Sequence, residues 1–480
     1  MKLSILIPVY NERAVVEKSL AMVLAAPLPE NLERELVIVD DCSKDGTSEI
    51  LARFAASHPE IRLFRHEVNQ GKGAAVRFAI EKAEGDFCLI QDADLEYDPS
   101  EYPVLMAPLL SGRADAVFGS RYLAGEQRRV LPFWHSMINL FLTLTSNMFS
   151  NLHLTDMETC YKVFRTDLLK SIPVRSDRFG FEPEITMKCA KRKFRIYEVP
   201  ISYHGRTYEE GKKIGWKDGV KALGVVLYFW VVDDLYKESY GRNYLNTLTG
   251  TPAYLNWLVS IVRPNLGDRV IELGAGLGSL SGMLMGKRLR YVAGEKDPLH
   301  LHSLQNRFLR TPNVEVRELS ADDPSGFAAL KGEFDTALLL KNLEYSKNPE
   351  QSLRLMGECL TANGRLIISV PQGANMNSLD RGMGYLQRFT KPNLISLLEK
   401  NGFAIESTRE LNKVGRIAWG IFGGLFGNEK INKFSLKLFD KTVWFTKLLE
   451  PVLPWAGLNL IVIARKKIDV VSACDLQRSL

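Results

Sequence analysis

The chain has 480 residues, of which 46% are hydrophobic and 25% are charged, so it is too long for one hydrophobic core and too apolar for wholesale disorder. A net charge of +6 favours anionic partners such as phosphates or a membrane surface, but the chain has no basic run of the nucleic-acid-binding type. We therefore expect two domains, or three, and no nucleic-acid partner.

The cysteines and the first residues indicate the cellular compartment. The six cysteines include no CxxC pair, which is typical of a reducing environment. The opening sequence MKLSILIPVYNE has one lysine and reaches a proline and an acid early, which predicts a first β-strand rather than a signal peptide. We expect a peripheral protein on the cytoplasmic face of a membrane.

Both halves of the chain alternate short apolar strands with longer helical stretches. In the first half the predicted strands are LSILIPVY, ELVIVDD, IRLFRH, DFCLIQDAD and ADAVFGSR, and in the second they are RVIELGAG, RYVAGEKD, FDTALLL and GRLIISVP. This alternation predicts helices packed on mainly parallel sheets. The polar segment 241–252 is the predicted linker between domains 1–240 and 253–480.

Residues 130–155 carry no charge but have helical periodicity. One arc of the helix would hold His135, Ser136, Asn139, Thr143, Ser146 and Asn147, and the other arc Trp134, Met137, Ile138, Phe141, Leu144, Met148 and Phe149. We expect an interfacial helix that turns its polar stripe toward the active site. Packing in the core is the alternative, and a span is disfavoured because the chain has no second apolar run of ~20 residues.

Polar loops follow the predicted strands of the first half, at the sheet edge where α/β proteins bind ligands. Asp40-Asp41 and Asp92-x-Asp94 offer carboxylates to a divalent cation, with a nucleotide diphosphate completing the site. Gly71-Lys72-Gly73 offers a cation and close backbone approach to a phosphate or base. In QDADLEYDP, Glu96 and Asp98 are expected to cap or solvate the exit toward the next helix.

Nine motifs in order carry a resemblance to a known family. They are PVYNE, VIVDDCSKDGT, NQGKGAAVR, QDADLEYDP, GSRY, DMETCYKVFR, GFEPEIT, EVPISY and GRTYEEGKKIGWKDG. Over about residues 1–235 this series resembles family 2 glycosyltransferases of the GT-A fold, and within them the dolichyl-phosphate mannose synthase branch. The resemblance implies transfer of a hexose from a nucleotide sugar, of the GDP-mannose or UDP-glucose type, to a polyprenyl phosphate.

The resemblance also implies roles for individual residues. Around the nucleotide it implies Pro8, Tyr10, Glu12, Asp40 and Asp41, with Lys72 on the donor side. It makes Asp92 and Asp94 the motif for Mg²⁺ or Mn²⁺ and the donor diphosphate. For phosphate oxygens it implies Arg121, Arg206, Lys212 and Lys213, and a second acceptor-phosphate contact among Arg128, Arg129, His135 and Ser136. For Glu182 and Glu184 in GFEPEIT, a structural or acceptor-positioning role and a part in the chemistry are both left open.

The chemistry of the acceptor decides whether such an enzyme needs a base. A lipid phosphate with a second pKa near ~6 is largely dianionic at neutral pH. The site must instead neutralise the departing diphosphate and align the acceptor oxygen for an inverting attack. A site rich in Asp, Arg and Lys fits this requirement.

The second half has a glycine-rich turn after its first predicted strand, VIELGAGLGSLSGML, followed by an acid in the next strand. A dinucleotide site has similar parts. Here, however, the glycines are spaced GxGxG, an acid precedes them, and a long stretch beginning FDTALLLKNLEYS follows. Over about residues 255–410 the pattern resembles class I S-adenosylmethionine-dependent methyltransferases, which have a Rossmann-like fold.

That resemblance implies a cofactor site for S-adenosylmethionine. The implied residues are Glu272, Gly274, Gly276 and Gly278 near the methionine part, Glu295 or Asp297 at the ribose, Asp322 at the adenine, and Leu343 with Glu344 along the pocket. A degenerate domain and a dehydrogenase are the alternatives. Residues 414–465 are aromatic and apolar with scattered lysines, which indicates core elements or a second membrane-facing patch.

The combined prediction is a GT-A glycosyltransferase domain followed by a methyltransferase domain, acting at a membrane in one glycan pathway. One rival is a glycosyltransferase that extends a saccharide or lipid hydroxyl. The other is a methyltransferase whose first half only recruits it to a lipid-linked sugar.

Overall fold

The structure is a computed structural model that describes residues 1–123, 130–205, 216–237, 247, 251–309 and 311–467. The chain divides into two compact units, Met1–Lys237 and Glu238–Leu480. Most of the predicted linker lies outside the described residues, and Pro252 already begins a helix. The boundaries 1–240 and 253–480 therefore stay predictions.

The first unit alternates strands and helices. Its strands are β1 Lys2–Val9, β2 Glu33–Asp40, β3 Ile61–Arg65, β4 Phe87–Ile90, β5 Ala116–Ser120, β6 Lys162–Arg165 and β7 Ile196–Pro200. Its helices are α1 Val16–Ala25, α2 Thr47–Ala56, α3 Lys72–Lys82, α4 Tyr102–Leu110, α5 Phe133–Ser150, α6 Thr166–Lys170, α7 Phe181–Lys191 and α8 Trp216–Val231. All five strands predicted for this half are confirmed.

Within the described residues the first unit has one mixed sheet, in the order β3-β2-β1-β4-β6-β5-β7. β1 pairs in parallel with both β2 and β4, whereas β6 runs antiparallel between β4 and β5. The central strands are apolar and buried on both faces, as strands covered by helices on each side must be. The sheet places the carboxyl ends of β1 and β4 side by side.

The second unit repeats the α/β plan with its own sheet. Its strands are β8 Arg269–Leu273, β9 Arg290–Glu295, β10 Val314–Glu318, β11 Phe334–Leu340, β12 Leu360–Pro371, β13 Phe403–Leu411 and β14 Asn459–Lys466. Its α-helices are α9 Pro252–Val262, α10 Ser281–Leu284, α11 Pro298–Phe308, α12 Pro349–Cys359, α13 Ser378–Met383, α14 Lys391–Lys400, α15 Lys413–Trp419, α16 Lys433–Lys441 and α17 Val443–Leu449. A π-helical segment, Gly420–Leu425, continues α15.

In the second sheet the described strands follow the order β10-β9-β8-β11-β12-β14-β13. β14 is antiparallel to both of its neighbours, and the other described pairings are parallel. Both units are thus α/β domains with mixed sheets, and the predicted fold class is confirmed. The four strands predicted for this half are present.

Helix α5 has its polar side inward. Asn139, Thr143 and Ser146 are buried, whereas Trp134 is 76% and Met148 73% exposed. The predicted two arcs are therefore correct, and the apolar arc faces outward. No helix of the described residues has both the length and the apolar character needed to cross a bilayer.

Candidate functional site

A cavity of about 580 Å³ lies at the carboxyl ends of β1 and β4 and beside α5 and α8. Most of the residues predicted for the donor line it: Pro8, Tyr10, Glu12, Asp41, Lys72, Asp92, Asp94 and Arg121. The parallel sheet brings these distant loops together because the carboxyl ends of its strands share one edge.

Asp92 and Lys72 form the charged centre of the cavity. The Lys72 ammonium lies 2.9 Å from Oδ1 and 3.0 Å from Oδ2 of Asp92, and 3.2 Å from Glu182. Burial alone would lower the pKa of Lys72, but the nearby Asp92, Cys160 and Glu182 raise it well above its usual value. Lys72 is therefore a permanent cation placed against the first carboxylate of the DxD motif.

The DxD carboxylates fit a divalent cation that also binds a ligand's phosphates. Asp92 and Asp94 line the same cavity. In the described part of the chain no three or more His, Cys, Asp or Glu side chains are grouped as a metal site. Mg²⁺ is commonly held by one or two carboxylates and completed by phosphate oxygens and water. Two protein carboxylates beside space for a diphosphate meet that pattern.

The predicted pair Asp40-Asp41 divides into two structural roles. Asp40 does not line the cavity, and it accepts hydrogen bonds from the Ser43 amide, which precedes α2, and from the Ser48 hydroxyl in the first turn of α2. Asp41 lines the cavity and accepts hydrogen bonds from the backbone amides of Gln70 and Gly71 at 2.9 and 2.7 Å. The structure brings Asp41 but not Asp40 to the cavity, and the nucleotide role of Asp40 stays a prediction.

The glycines around Lys72 serve packing between loops. A Cβ on Gly71, whose φ is +100°, would lie 2.4 Å from the Asp177 carbonyl oxygen, and a Cβ on Gly73 would lie 2.2 Å from that of Ser176. The Gly71 amide is already bonded to Asp41. The close backbone approach that we predicted for a ligand is therefore made by the loop 176–178.

The Arg121 side chain is buried and forms an ion pair with Asp156. Its Nε and Nη2 donate to the two Asp156 oxygens at 2.6 and 2.7 Å, and Nη2 also reaches Asn139 at 3.3 Å. The guanidinium lies 5.0 Å from the ring centroid of Tyr203. Arg121 thus lines the cavity as part of a fixed pair, which the GSRY motif alone could not indicate.

Glu158 is a cavity residue that sequence reasoning missed. Its Oε1 is buried with no hydrogen-bond partner among the described residues. Burial and the nearby Glu182 raise the pKa of Glu158 to about 7, against the opposing effects of Lys162 and Arg121. The only sequence signal was its place in DMETC, two residues after the partner of Arg121.

The four carboxylates of QDADLEYDP do not share one extended face, because β4 ends at Ile90 and the loop follows. Asp98 accepts a hydrogen bond from the Ser100 amide at 2.9 Å, as expected of a cap. Glu96 lines the cavity and accepts a hydrogen bond from the Tyr203 hydroxyl at 2.9 Å. The prediction for Glu96 was therefore wrong, since its side chain faces the site.

Of the other side chains predicted to contact a phosphate, the structure describes only that of Ser136. Arg128, Arg129, Arg206, Lys212 and Lys213, and the side chain of His135, lie outside the described residues. Ser136 is on α5 but does not line the cavity.

Glu184 is fully buried and accepts hydrogen bonds from the backbone amides of Arg175 and Ser176, which is a structural role. Two further cations that sequence reasoning missed, Arg178 and Lys221, line the cavity.

The glycine turn of the second unit has the geometry of a ligand loop. Gly274, Gly276 and Gly278 have φ of +81°, +57° and +74°, which L side chains rarely adopt. A Cβ on Gly276 would meet nothing within 4 Å, so the space above it is open. The Gly276 amide donates to Glu295 at 2.7 Å. This loop and its carboxylate fit a ribose-bearing cofactor.

The other residues implied for this cofactor differ in position. Glu272 is buried under the loop, where it accepts hydrogen bonds from Ser281 and Tyr291 and burial raises its pKa. Asp297 accepts a hydrogen bond from the His300 amide at the start of α11, and Glu295 accepts hydrogen bonds from the amides of Gly276, Lys296 and Asp297, so the choice between the two acids for the ribose stays open. Asp322 is exposed beside Lys296 at 3.5 Å. Leu343 belongs to the buried core, so its predicted place along the pocket is not supported.

A second cavity, of about 320 Å³, lies at the carboxyl ends of β11 and β12 in the second unit. Lys341, Asn412 and Asn459 line it with polar atoms, and Trp419, Phe422 and Phe439 are among its apolar lining residues. The Asn342 side chain occupies the space where a Cβ on Gly274 would lie. Asn342, the residue after Lys341, therefore contacts the glycine loop.

Comparisons with known proteins match parts of the chain. The glycosyl transferase family 2 model matches residues 4–172. The undecaprenyl-phosphate mannosyltransferase of Micrococcus luteus is 30% identical over 232 residues, which cover 47% of this chain and 93% of that protein. The dolichol-phosphate mannosyltransferase of Pyrococcus furiosus is 28% identical over 217 residues, 45% of this chain and 60% of that protein.

The solved structure of an S-adenosylmethionine dependent methyltransferase from Mesorhizobium loti is similar to part of this chain, with 14% sequence identity and a TM-score of 0.32. The match covers 44% of this chain and 98% of that chain.

Proposed function

Because the chain belongs to glycosyl transferase family 2, we propose that its first unit transfers a hexose from a nucleotide sugar to a polyprenyl phosphate at a membrane surface. The observation that carries the proposal is the composition of its cavity. Carboxylates and Lys72 line it near β1 and β4, while Ile138 lines it from the outward apolar side of α5. A polar donor and a lipid-borne acceptor would need these two environments together.

The carboxylates of the DxD motif would hold Mg²⁺ or Mn²⁺ on the donor diphosphate. When bound, the cation would supply charge neutralisation for the leaving group. Lys72 adds a fixed positive charge beside it, and Arg121 and Arg178 add two more at the cavity. Such preorganised cations stabilise charge that develops during transfer.

The exposed side of α5 supports delivery of the acceptor from a membrane. We call Trp134, Ile138, Phe141, Leu144 and Met148 the proximal apolar face; each of these side chains is exposed. An apolar face on a helix with a buried polar side is suited to the headgroup layer of a bilayer. Lipid chains on this face would bring their phosphate to the cavity without leaving the membrane.

An assay of sugar transfer tests the proposal. The full chain is incubated with radiolabelled GDP-mannose or UDP-glucose, Mg²⁺ and undecaprenyl phosphate, and the organic phase is counted. We expect label in the lipid fraction with one of these donors and none when EDTA replaces Mg²⁺. Absence of lipid-linked label with every nucleotide sugar tried would overturn the proposal.

The hydroxyl-extending rival would need a base, and Glu158 is the residue that favours it. A carboxyl group with a pKa of about 7 is well matched to proton transfer near neutral pH. A phosphate acceptor makes such a base unnecessary. The identity of the acceptor atom therefore separates the two functions.

For the second unit we propose S-adenosylmethionine binding and methyl transfer, supported by the Glu295–Gly276 contact. Replacing Glu295 with Gln is expected to weaken S-adenosylmethionine binding about tenfold to a hundredfold, because a charged acceptor for ribose hydroxyls and the loop amide is lost. Isothermal titration calorimetry measures this change. Glu399→Gln, at an exposed glutamate of α14, is the matched control and should bind like wild type. Equal affinity of Glu295→Gln and wild type would contradict the assignment.

A further inference from the structure

The second unit exposes an unusual amount of apolar surface near its cavity. We call Leu425, Phe426, Phe434, Trp444, Leu448 and Val452 the distal apolar face; they are between 64% and 77% exposed. They lie on or beside the π-helical segment, α16 and α17. Helix α17 contacts both α15 and α16, so these elements form one connected layer.

Two of the elements that line the cavity carry apolar side chains both toward the cavity and toward the outside. From the α15 region, Trp419 and Phe422 line the cavity while Leu425 and Phe426 are exposed. From α16, Leu436 and Phe439 line it while Phe434 is exposed. A contiguous exposed apolar patch commonly marks a surface that a protein partner or a membrane covers.

The charges around this face indicate which cover fits. Residues 413–455 contain seven Lys or Arg and three acids. Two of these acids are engaged internally, because Asp440 accepts hydrogen bonds from the Ala253 and Tyr254 amides and Glu450 from the Lys413 amide. Exposed apolar and aromatic groups among lysines suit an anionic lipid surface, where lysine stems lie along the apolar layer and the ammonium groups reach the headgroups.

We propose that the second unit docks on an anionic membrane through the distal apolar face, independently of the first unit. This docking would open the cavity of Lys341 toward the lipid. The ligand of that cavity would then be an amphiphile carried in the membrane. The inference goes beyond sugar transfer, and it does not require that transfer to occur.

Vesicle flotation of the full chain tests the proposal, with the first unit's contribution removed. The background variant carries Trp134→Ser, Phe141→Ser and Met148→Ser. In vesicles of phosphatidylglycerol and phosphatidylcholine, we expect this variant to remain partly bound. Adding Leu425→Ser, Phe426→Ser and Trp444→Ser should lower its vesicle partition at least tenfold.

A matched control removes exposed apolar groups of the second unit that lie outside the distal apolar face. Leu289→Ser with Leu309→Ser in the same background should leave partition unchanged. Pure phosphatidylcholine vesicles or high salt should weaken binding. Circular dichroism and urea unfolding of each variant verify the fold. Because vesicle binding is measured directly, the test does not depend on methyl transfer.

Three results would overturn the proposal. The background variant could fail to bind vesicles at all, or the added distal substitutions could leave its binding unchanged. The third result concerns a second copy of the chain. If light scattering shows a dimer that the distal substitutions dissociate while vesicle binding persists, the face is a protein interface.

Discussion

Replacing Asp92 or Asp94 with asparagine is expected to reduce sugar transfer about a thousandfold, which corresponds to about 4 kcal/mol. Asparagine keeps the size of the side chain but removes the charge that would hold the cation on the diphosphate. In Asp92→Asn it also removes the carboxylate that lies 2.9 Å from Lys72. Initial rates at saturating donor and Mg²⁺ measure the effect.

Asp98 provides the matched control. It belongs to the same run of acids, but its carboxylate accepts a hydrogen bond from the Ser100 amide. Asp98→Asn should cost about 1 kcal/mol of stability or less and leave the transfer rate unchanged. Binding of S-adenosylmethionine by the second unit should be the same in all three variants. If Asp92→Asn and Asp94→Asn retain near-normal rates, the DxD carboxylates do not hold the donor.

Removing Asp156 should destabilise the first unit by about 3 to 5 kcal/mol. Asp156 is fully buried and accepts two hydrogen bonds from the guanidinium and one from the backbone amide of Arg121, which is itself buried. In Asp156→Ala the guanidinium would stay in the interior without its counter-charge. Hydrogen exchange of the β5 and β6 amides, read by mass spectrometry, reports the stability of this unit separately from the second.

Two further variants make the test specific. Glu17→Ala breaks the exposed pair between Glu17 and Arg53, 3.2 Å apart, and should cost less than about 1 kcal/mol. The double variant Arg121→Met with Asp156→Leu removes both buried charges and should recover most of the lost stability. A loss in Asp156→Ala no larger than in Glu17→Ala would show that the buried pair contributes little.

The strands could be predicted from the sequence because they are short apolar runs ended by polar loops. Ile5, Val37 and Leu89, for example, belong to strands buried on both faces. The antiparallel strands were harder. β6 contains Lys162, whose ammonium is buried and bonded to the Met157 carbonyl, so its sequence lacks the continuous apolar run of a central strand.

The orientation of α5 was predictable because its periodicity separates two arcs. The partners of its polar arc were not, since they depend on tertiary contacts. Asn139 contacts Arg121 and Asp156, and the Thr143 hydroxyl accepts a hydrogen bond from the Met157 amide. These contacts join residues that no local pattern connects.

The sequence predicts the kind of site better than it predicts the position of each side chain. Asp92, Asp94 and Lys72 line the cavity because they follow strand ends, a position that the sequence reveals. Asp41 and Glu96 line the cavity whereas Asp40 does not, because loop conformation decides which carboxylates face inward. Leu95 has a φ of +25°, and neither composition nor spacing predicts that turn.

In the proposed reaction a lipid phosphate oxygen, rather than a hydroxyl, accepts the sugar. Equal amounts of undecaprenyl phosphate and undecaprenol compete for the wild-type enzyme and the accepted donor, and mass spectrometry identifies the product. We expect only the hexosyl phosphate of the lipid, with Glu158→Gln retaining most of the wild-type rate. A sugar attached to the free alcohol, with loss of transfer in Glu158→Gln, would contradict the account.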